Sequence, residues 1–166
     1  MSEDMDRVEV LGGLLLRIGN FGPRNFQKKK FNDRLILQKT IYLMQEFNLY
    51  IGYEFNWYLK GPYSPSLTKD AFELVNSYNM TASINFIDPE AEERFQEFLN
   101  FINNHIKEED WLEAIASIHY LRKNYPDWDK KRVYKEVKKK MLNLNGTDFK
   151  EYWDYLVSYG LVEGRD

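Results

Sequence analysis

Cysteine is absent from this 166-residue chain. That removes disulfides, thiolate metal sites and a thiol nucleophile together, and it fits a chain kept in a reducing compartment. Histidine is scarce: only His105 and His119 occur, and their spacing matches no zinc pattern. Apolar runs such as Leu14-Leu15-Leu16 are far too short to cross a bilayer, which takes about 20 residues. The first residues, Met1 to Asp6, are acidic where a secretory leader is basic. A cytoplasmic location and no membrane partner are therefore expected. A strong positive excess is also missing, because 23 Lys and Arg stand against 26 Asp and Glu for a net charge of −3. Nothing in that balance marks a dedicated nucleic-acid binder.

The chemistry of catalysis is equally thin. No glycine-rich phosphate loop occurs, and no Ser-His-Asp order is credible. Gly12-Gly13 sits inside an apolar helix pattern and reads as a site of close packing. Glu92-Glu93 and Glu108-Glu109-Asp110 are adjacent runs whose side chains diverge around a helix, so they cannot share one proton. His119 lies one turn beyond Ile115 and reads as a core or boundary histidine. His105 reads as a solvated residue at a helix end. The chain is expected to be non-enzymatic, with no metal and no cofactor.

What is present in quantity is aromatic surface, at 16% of residues. Each Phe, Tyr or Trp can bury about 150–250 Å², and a chain of this length can bury roughly two-thirds of its unfolded surface without a disulfide or metal. A single domain, 1–166, is expected, with a core over 1–87 and a helical extension over 88–166.

Helical spacing predicts a first helix over Val8–Ile18. A nearly all-apolar second helix follows over Arg34–Phe47, capped by Asn32 or Asp33 and placed at the centre of the fold. Alternation of Tyr53, Phe55 and Trp57 with Glu54, Asn56 and Tyr58 predicts a strand, stopped by Pro62 and Pro65. Ser66 is expected to cap a third helix reaching Tyr78. Ala82, Ile84 and Phe86 then alternate in a return strand over Thr81–Ile87 that would pair with the first. The rest reads as helices. Asp88-Pro89 opens one with the stripe Phe95, Phe98, Leu99 and Ile102, and Asp110 caps another over Trp111–Asn124. Asp129 caps a short basic helix. Asn145-Gly146 precedes the last, which ends at Gly160. The fold expected is mostly α: a compact helical domain with a small antiparallel β-hairpin, winged-helix-like in its N-terminal half.

Leu37-Gln38-Lys39-Thr40-Ile41-Tyr42, followed by an aromatic strand closing on Gly61-Pro62-Tyr63-Ser64, resembles the Leu-Gln-Lys helix and Gly-Pro corner of Panacea-type domains. The resemblance covers about residues 33–75 well and 110–162 more loosely. It implies an antitoxin-like or host–virus conflict adaptor role, exerted by binding a protein such as a toxin.

Independently of that resemblance, tyrosines around the strand and corner suit a protein interface, because their rings bury area at low entropic cost. Tyr58, Lys60, Tyr63 and Ser64 are expected to present the contact, while Gly61 and Pro62 shape the turn. The partner would be another protein or a second copy in a homodimer. The alternative is a winged-helix-like nucleic-acid binder. Arg24, Lys28, Lys29, Lys30, Arg34 and Lys39 form a basic cluster; within it Lys28, Lys29 and Lys30, with Phe26 and Phe31 on either side, would supply phosphate contacts, as would Lys131, Lys135, Lys138 and Lys139. A solvated helix face, helped by a Glu136–Lys140 pair, competes with that second cluster.

Overall fold

The computed structural model describes residues 6–19, 31–77 and 84–164. Within them lie α1 (Arg7–Ile18), α2 (Phe31–Gln45), β1 (Asn56–Tyr58), β2 (Gly61–Tyr63) and α3 (Pro65–Ser77). Four more helices follow: α4 (Pro89–Ile102), α5 (Glu109–Asn124), α6 (Lys130–Lys140) and α7 (Gly146–Ser158). The fold is mostly helical with one small antiparallel sheet. Helices α2 and α5 run through the middle, and one apolar cluster extends from Val10 and Leu11 of α1 to Trp153 and Leu156 of α7.

Local chemistry accounts for most boundaries. Asp6, Asp88, Asp129 and Asn145 each accept a hydrogen bond from a first-turn amide of the helix that follows, which satisfies donors that helix geometry leaves orphaned. Pro89 occupies the first turn of α4, where its missing N–H costs nothing. Gly160, just past α7, has φ +72 and ends the helix in the left-handed conformation. Gly13 fulfils the packing expectation, since a Cβ there would lie 2.7 Å from Ile84.

Three expected caps are displaced. Helix α2 begins at Phe31, so Asn32 and Asp33 lie inside its first turn. Helix α5 begins at Glu109 after Glu108, which places Asp110 in the first turn as well. Helix α3 is capped by Ser64, whose Oγ accepts from Leu67 N–H at 3.3 Å, with Pro65 as first residue; Ser66 therefore lies within the helix.

The β-structure also differs from expectation. The strand starting at Tyr53 was expected to pair across α3 with a return strand, Thr81–Ile87. Instead the hairpin closes locally: Asn56 pairs with Tyr63, Trp57 with Pro62 and Tyr58 with Gly61. Among the described residues, 84–87 form no strand; 81–83 lie outside them. Pro62 does not stop the strand but belongs to β2. Alternate pairs of an antiparallel ladder exchange no N–H bonds, so a residue without that donor is tolerated opposite Trp57. Only two residues, Leu59 and Lys60, join the strands. Gly61 follows at φ +94, a left-handed conformation that glycine adopts without steric cost.

Candidate functional site

The polar residues of α2 decide how the hairpin is held. Helix α2 is buried on nearly every side, yet Gln38, Lys39 and Thr40 are buried within it. A buried polar group without partners is costly; Thr40 Oγ1 has no hydrogen-bond partner among the described residues, whereas Gln38 and Lys39 both bond the corner. Gln38 grips the corner backbone with both ends of its amide. Its Oε1 accepts from Ser64 N–H at 2.8 Å, and its Nε2 donates to Ser64 carbonyl oxygen at 2.9 Å and to Thr68 Oγ1 at 2.8 Å. Lys39, only 2% exposed, donates from Nζ to the Pro62 carbonyl at 2.5 Å. Two turns on, Gln45 does for the Ile51–Tyr53 segment what Gln38 does for the corner. The Leu-Gln-Lys sequence is thus a core residue followed by two backbone clamps, aimed at Gly61-Pro62-Tyr63-Ser64.

On its other side the corner rests on α5. Gly61 lies so close that a Cβ there would stand 2.3 Å from Ser117 Oγ. Glu113, also buried, faces Lys39 and Lys60; its carboxylate lies 3.9 Å from Lys60 Nζ. Burial pushes the Lys39 ammonium down to about 7, opposed by the charge of Glu113. Burial likewise raises the Glu113 carboxyl, opposed by Lys60 and Lys39. Each group weakens the other's tendency to lose its charge.

The clamped hairpin leaves its tip uncovered. Leu59 is 85% exposed and Tyr58 45% exposed. Tyr58 and Tyr63 meet edge to face at 5.3 Å, diagonal neighbours on one side of the sheet, and Tyr63 hydroxyl bonds Thr68 Oγ1 at 2.8 Å. The opposite side of the hairpin packs inward, with Trp57 stacked on Tyr120 at 5.5 Å and Phe55 edge-on to Tyr42 at 5.2 Å. Between the tip and the N-terminal half of α2 runs a groove of about 220 Å³. Tyr58, Leu59, Lys60 and Tyr63 form one wall, and Arg34, Leu35, Gln38 and Lys39 the other.

The structure therefore brings together three of the four expected contact residues, Tyr58, Lys60 and Tyr63. It removes the fourth, because Ser64 is fully buried beneath Gln38 and is occupied in capping α3. Gly61 and Pro62 shape the corner as expected. Leu59, Arg34 and Leu35 also line this groove and were not among the expected contact residues. A leucine at the tip of a two-residue turn becomes conspicuous only once the hairpin is known to close at that point.

The basic clusters divide. Lys39 is not part of a basic surface, since it is buried under the corner. Lys28, Lys29 and Lys30, with Arg24 and Phe26, lie outside the described residues. On α6, Lys131 and Lys135 are exposed, but Lys138 donates to Leu144 carbonyl oxygen at 2.6 Å. Glu136 pairs with Lys139 at 2.9 Å rather than with Lys140, which sits 5.1 Å over the Trp57 ring. All four expected lysines of α6 are thus exposed, with Lys138 and Lys139 engaged by neighbours within the chain.

A second, polar cleft of about 470 Å³ lies beside the C-terminal half of α2. Its groups are largely paired with one another. Lys123 bonds Glu46 at 2.9 Å, Tyr50 bonds Glu54, and Tyr42 hydroxyl meets His119 Nδ1 at 2.7 Å. Burial, reinforced by Lys123, holds His119 down to about 4, so its imidazole is neutral at pH 7. This is the satisfied histidine the sequence suggested. His105 is not simply solvated: its ring stacks on Trp111 at 3.9 Å and 5°, and its Nδ1 lies 3.0 Å from Glu108.

Among the described residues, no group of three or more His, Asp or Glu side chains could hold a metal ion, and no helix is long and apolar enough to cross a membrane. Comparison of the chain with protein-family models, curated proteins and solved structures finds no match.

Proposed function

We propose that the chain is a non-enzymatic binding module whose partner is another protein, docked on the hairpin tip and the groove beside it. The observation that carries this reading is Leu59, 85% exposed next to Tyr58 on a hairpin held by buried side chains of α2. Scattered surface leucines are ordinary. This one stands on a rigid support beside an apolar groove, and preorganisation of that kind lowers the entropic cost of association. A groove of about 220 Å³ also falls below the roughly 300–1,000 Å³ of small-molecule clefts, so it suits one anchoring side chain better than a free metabolite. Within this reading the antitoxin-like role, with a toxin as partner, is the specific form that the likeness of residues 33–75 to Panacea-type domains supports.

The test is affinity capture from native lysate with nuclease present, comparing the natural chain with Leu59→Asp. A stoichiometric protein held by the first and lost by the second, at equal thermal stability, is the expected result. Capture unchanged by Leu59→Asp overturns the site. Nucleic acid that co-purifies without nuclease and requires Lys131 and Lys135 would favour the alternative reading instead.

A further inference from the structure

We infer that the occupant of the groove is an acidic peptide segment: one large apolar side chain seated between α2 and the hairpin, with carboxylates on its flanks. This inference rests on the docking reading above and adds the chemistry of the partner.

The argument is one of charge against context. The chain as a whole is acidic, with net charge −3. Of the eight residues that line the groove, three are cationic (Arg34, Lys39 and Lys60) and none is acidic. The remaining surface of the groove is supplied chiefly by Leu35, Leu59 and the two tyrosine rings. An apolar slot ringed by one sign of charge accepts an apolar side chain and selects its neighbours, because like charge at the rim is repelled and opposite charge is drawn in. A segment bearing Lys or Arg would meet Arg34 and Lys60 directly.

The three cations act at different depths. Lys60 is about half exposed at the turn, with Glu113 3.9 Å away on α5. Arg34 stands on the opposite wall, and Lys39 lies under the floor with its Nζ on the Pro62 carbonyl. Glu113 from α5 acts on Lys39, and Lys60 from the turn and Arg34 from α2 line the same groove. Glu113 in turn feels Asp110 and, from α6, Lys140. Glu113 favours the charged form of Lys39, and an incoming carboxylate beside Lys60 would add to that effect and lower the cost of keeping Lys39 protonated. Because that ammonium loses its proton near neutrality in the empty groove, binding of an acidic segment is accompanied by proton uptake and weakens as pH rises from 7 to 9.

The experiment is selection of a phage-displayed dodecapeptide library on the natural chain, with counter-selection on Leu59→Asp. Sequences with a Trp, Phe or Leu flanked by Asp and Glu are expected. Replacing those acids by Asn and Gln in a synthetic copy should weaken binding about tenfold, the scale of a charge-assisted hydrogen bond. Titration calorimetry of the acidic peptide at pH 7.5, in buffers of different ionisation enthalpy, should report proton uptake. Neutral or basic peptides that are lost with Leu59→Asp would overturn the acidic chemistry and leave the docking site standing. Equal binding of the acidic peptide and its Asn/Gln copy would do the same. Peptides indifferent to Leu59→Asp, or no enrichment at all, would overturn both.

Discussion

Replacing Gly61 by alanine tests the mechanical premise of the site, that the hairpin is pressed against α5 with no room for a side chain. Two costs are separable. Gly61 has φ +94, and a residue with a Cβ in the left-handed region is strained by about 1–2 kcal/mol. The added Cβ would also stand 2.3 Å from Ser117 Oγ and 3.5 Å from Ser117 Cβ. The second distance is ordinary contact, so the overlap is with the hydroxyl alone. Ser117 is buried in mid-helix, where its rotamer choice is restricted, and relieving the overlap by overpacking costs about 1–3 kcal/mol. Gly61→Ala should therefore lose about 2–5 kcal/mol, and in a Ser117→Ala background only the backbone part, about 1–2 kcal/mol, should remain. Urea denaturation of the four chains in this cycle reads both numbers. A loss below about 0.5 kcal/mol in Gly61→Ala, the scale of an ordinary surface change, would refute the close approach. An equal loss in both backgrounds would refute Ser117 as its cause.

Gln38→Leu should cost about 1–3 kcal/mol, because it strands the N–H of buried Ser64, the loss expected for one unpaired buried donor, while the Ser64 carbonyl keeps its bond from Thr68 N–H; chemical denaturation checks it, and a near-neutral result would mean that water replaces the amide. Lys39 makes stability depend on pH. Its folded value is lowered from 10.5 to about 7, so between these values the unfolded chain binds more protons and stability rises with pH. From pH 7.5 to 9.5 the gain is about 2–3 kcal/mol, and Lys39→Met should remove it; parallel slopes in the two chains would contradict the assignment. Leu59→Asp should leave the unfolding free energy from urea denaturation within about 0.5 kcal/mol of the natural chain while abolishing partner capture, and a large loss of stability would show that Leu59 packs rather than presents.

The helices were legible because their signals are local. The stripes Phe95, Phe98, Ile102 and Phe149, Trp153, Leu156 repeat at helical spacing, and Asp88, Asp129 and Asn145 cap where their short side chains predict. The central position of α2 followed from its lack of a polar face. What the pattern could not supply was the purpose of the polar residues within it. Gln38 and Lys39 bond to backbone atoms about 25 residues away, and no periodicity encodes a partner at that distance. The hairpin was misjudged for a related reason. Alternation over 53–58 announces an extended segment but not its partner, and Pro62 seemed to forbid a strand that its pairing position in fact permits. Ser64 looked like a contact residue because it is polar and sits at a turn; capping α3 under Gln38 explains why it is buried. Leu59 carried no signal of its own until the two-residue turn placed it at the tip.

The central claim is that the hairpin tip is the docking surface. It is tested most directly by placing a photo-crosslinking phenylalanine analogue at position 59 and, in a second chain, at position 87. Leu59 and Ile87 are comparably exposed, at 85% and 78%, so any difference reports location and not accessibility. Irradiation in native lysate should give one discrete protein adduct from position 59 and none from position 87. Matching adducts from both positions, or an adduct from position 87 alone, would contradict the account.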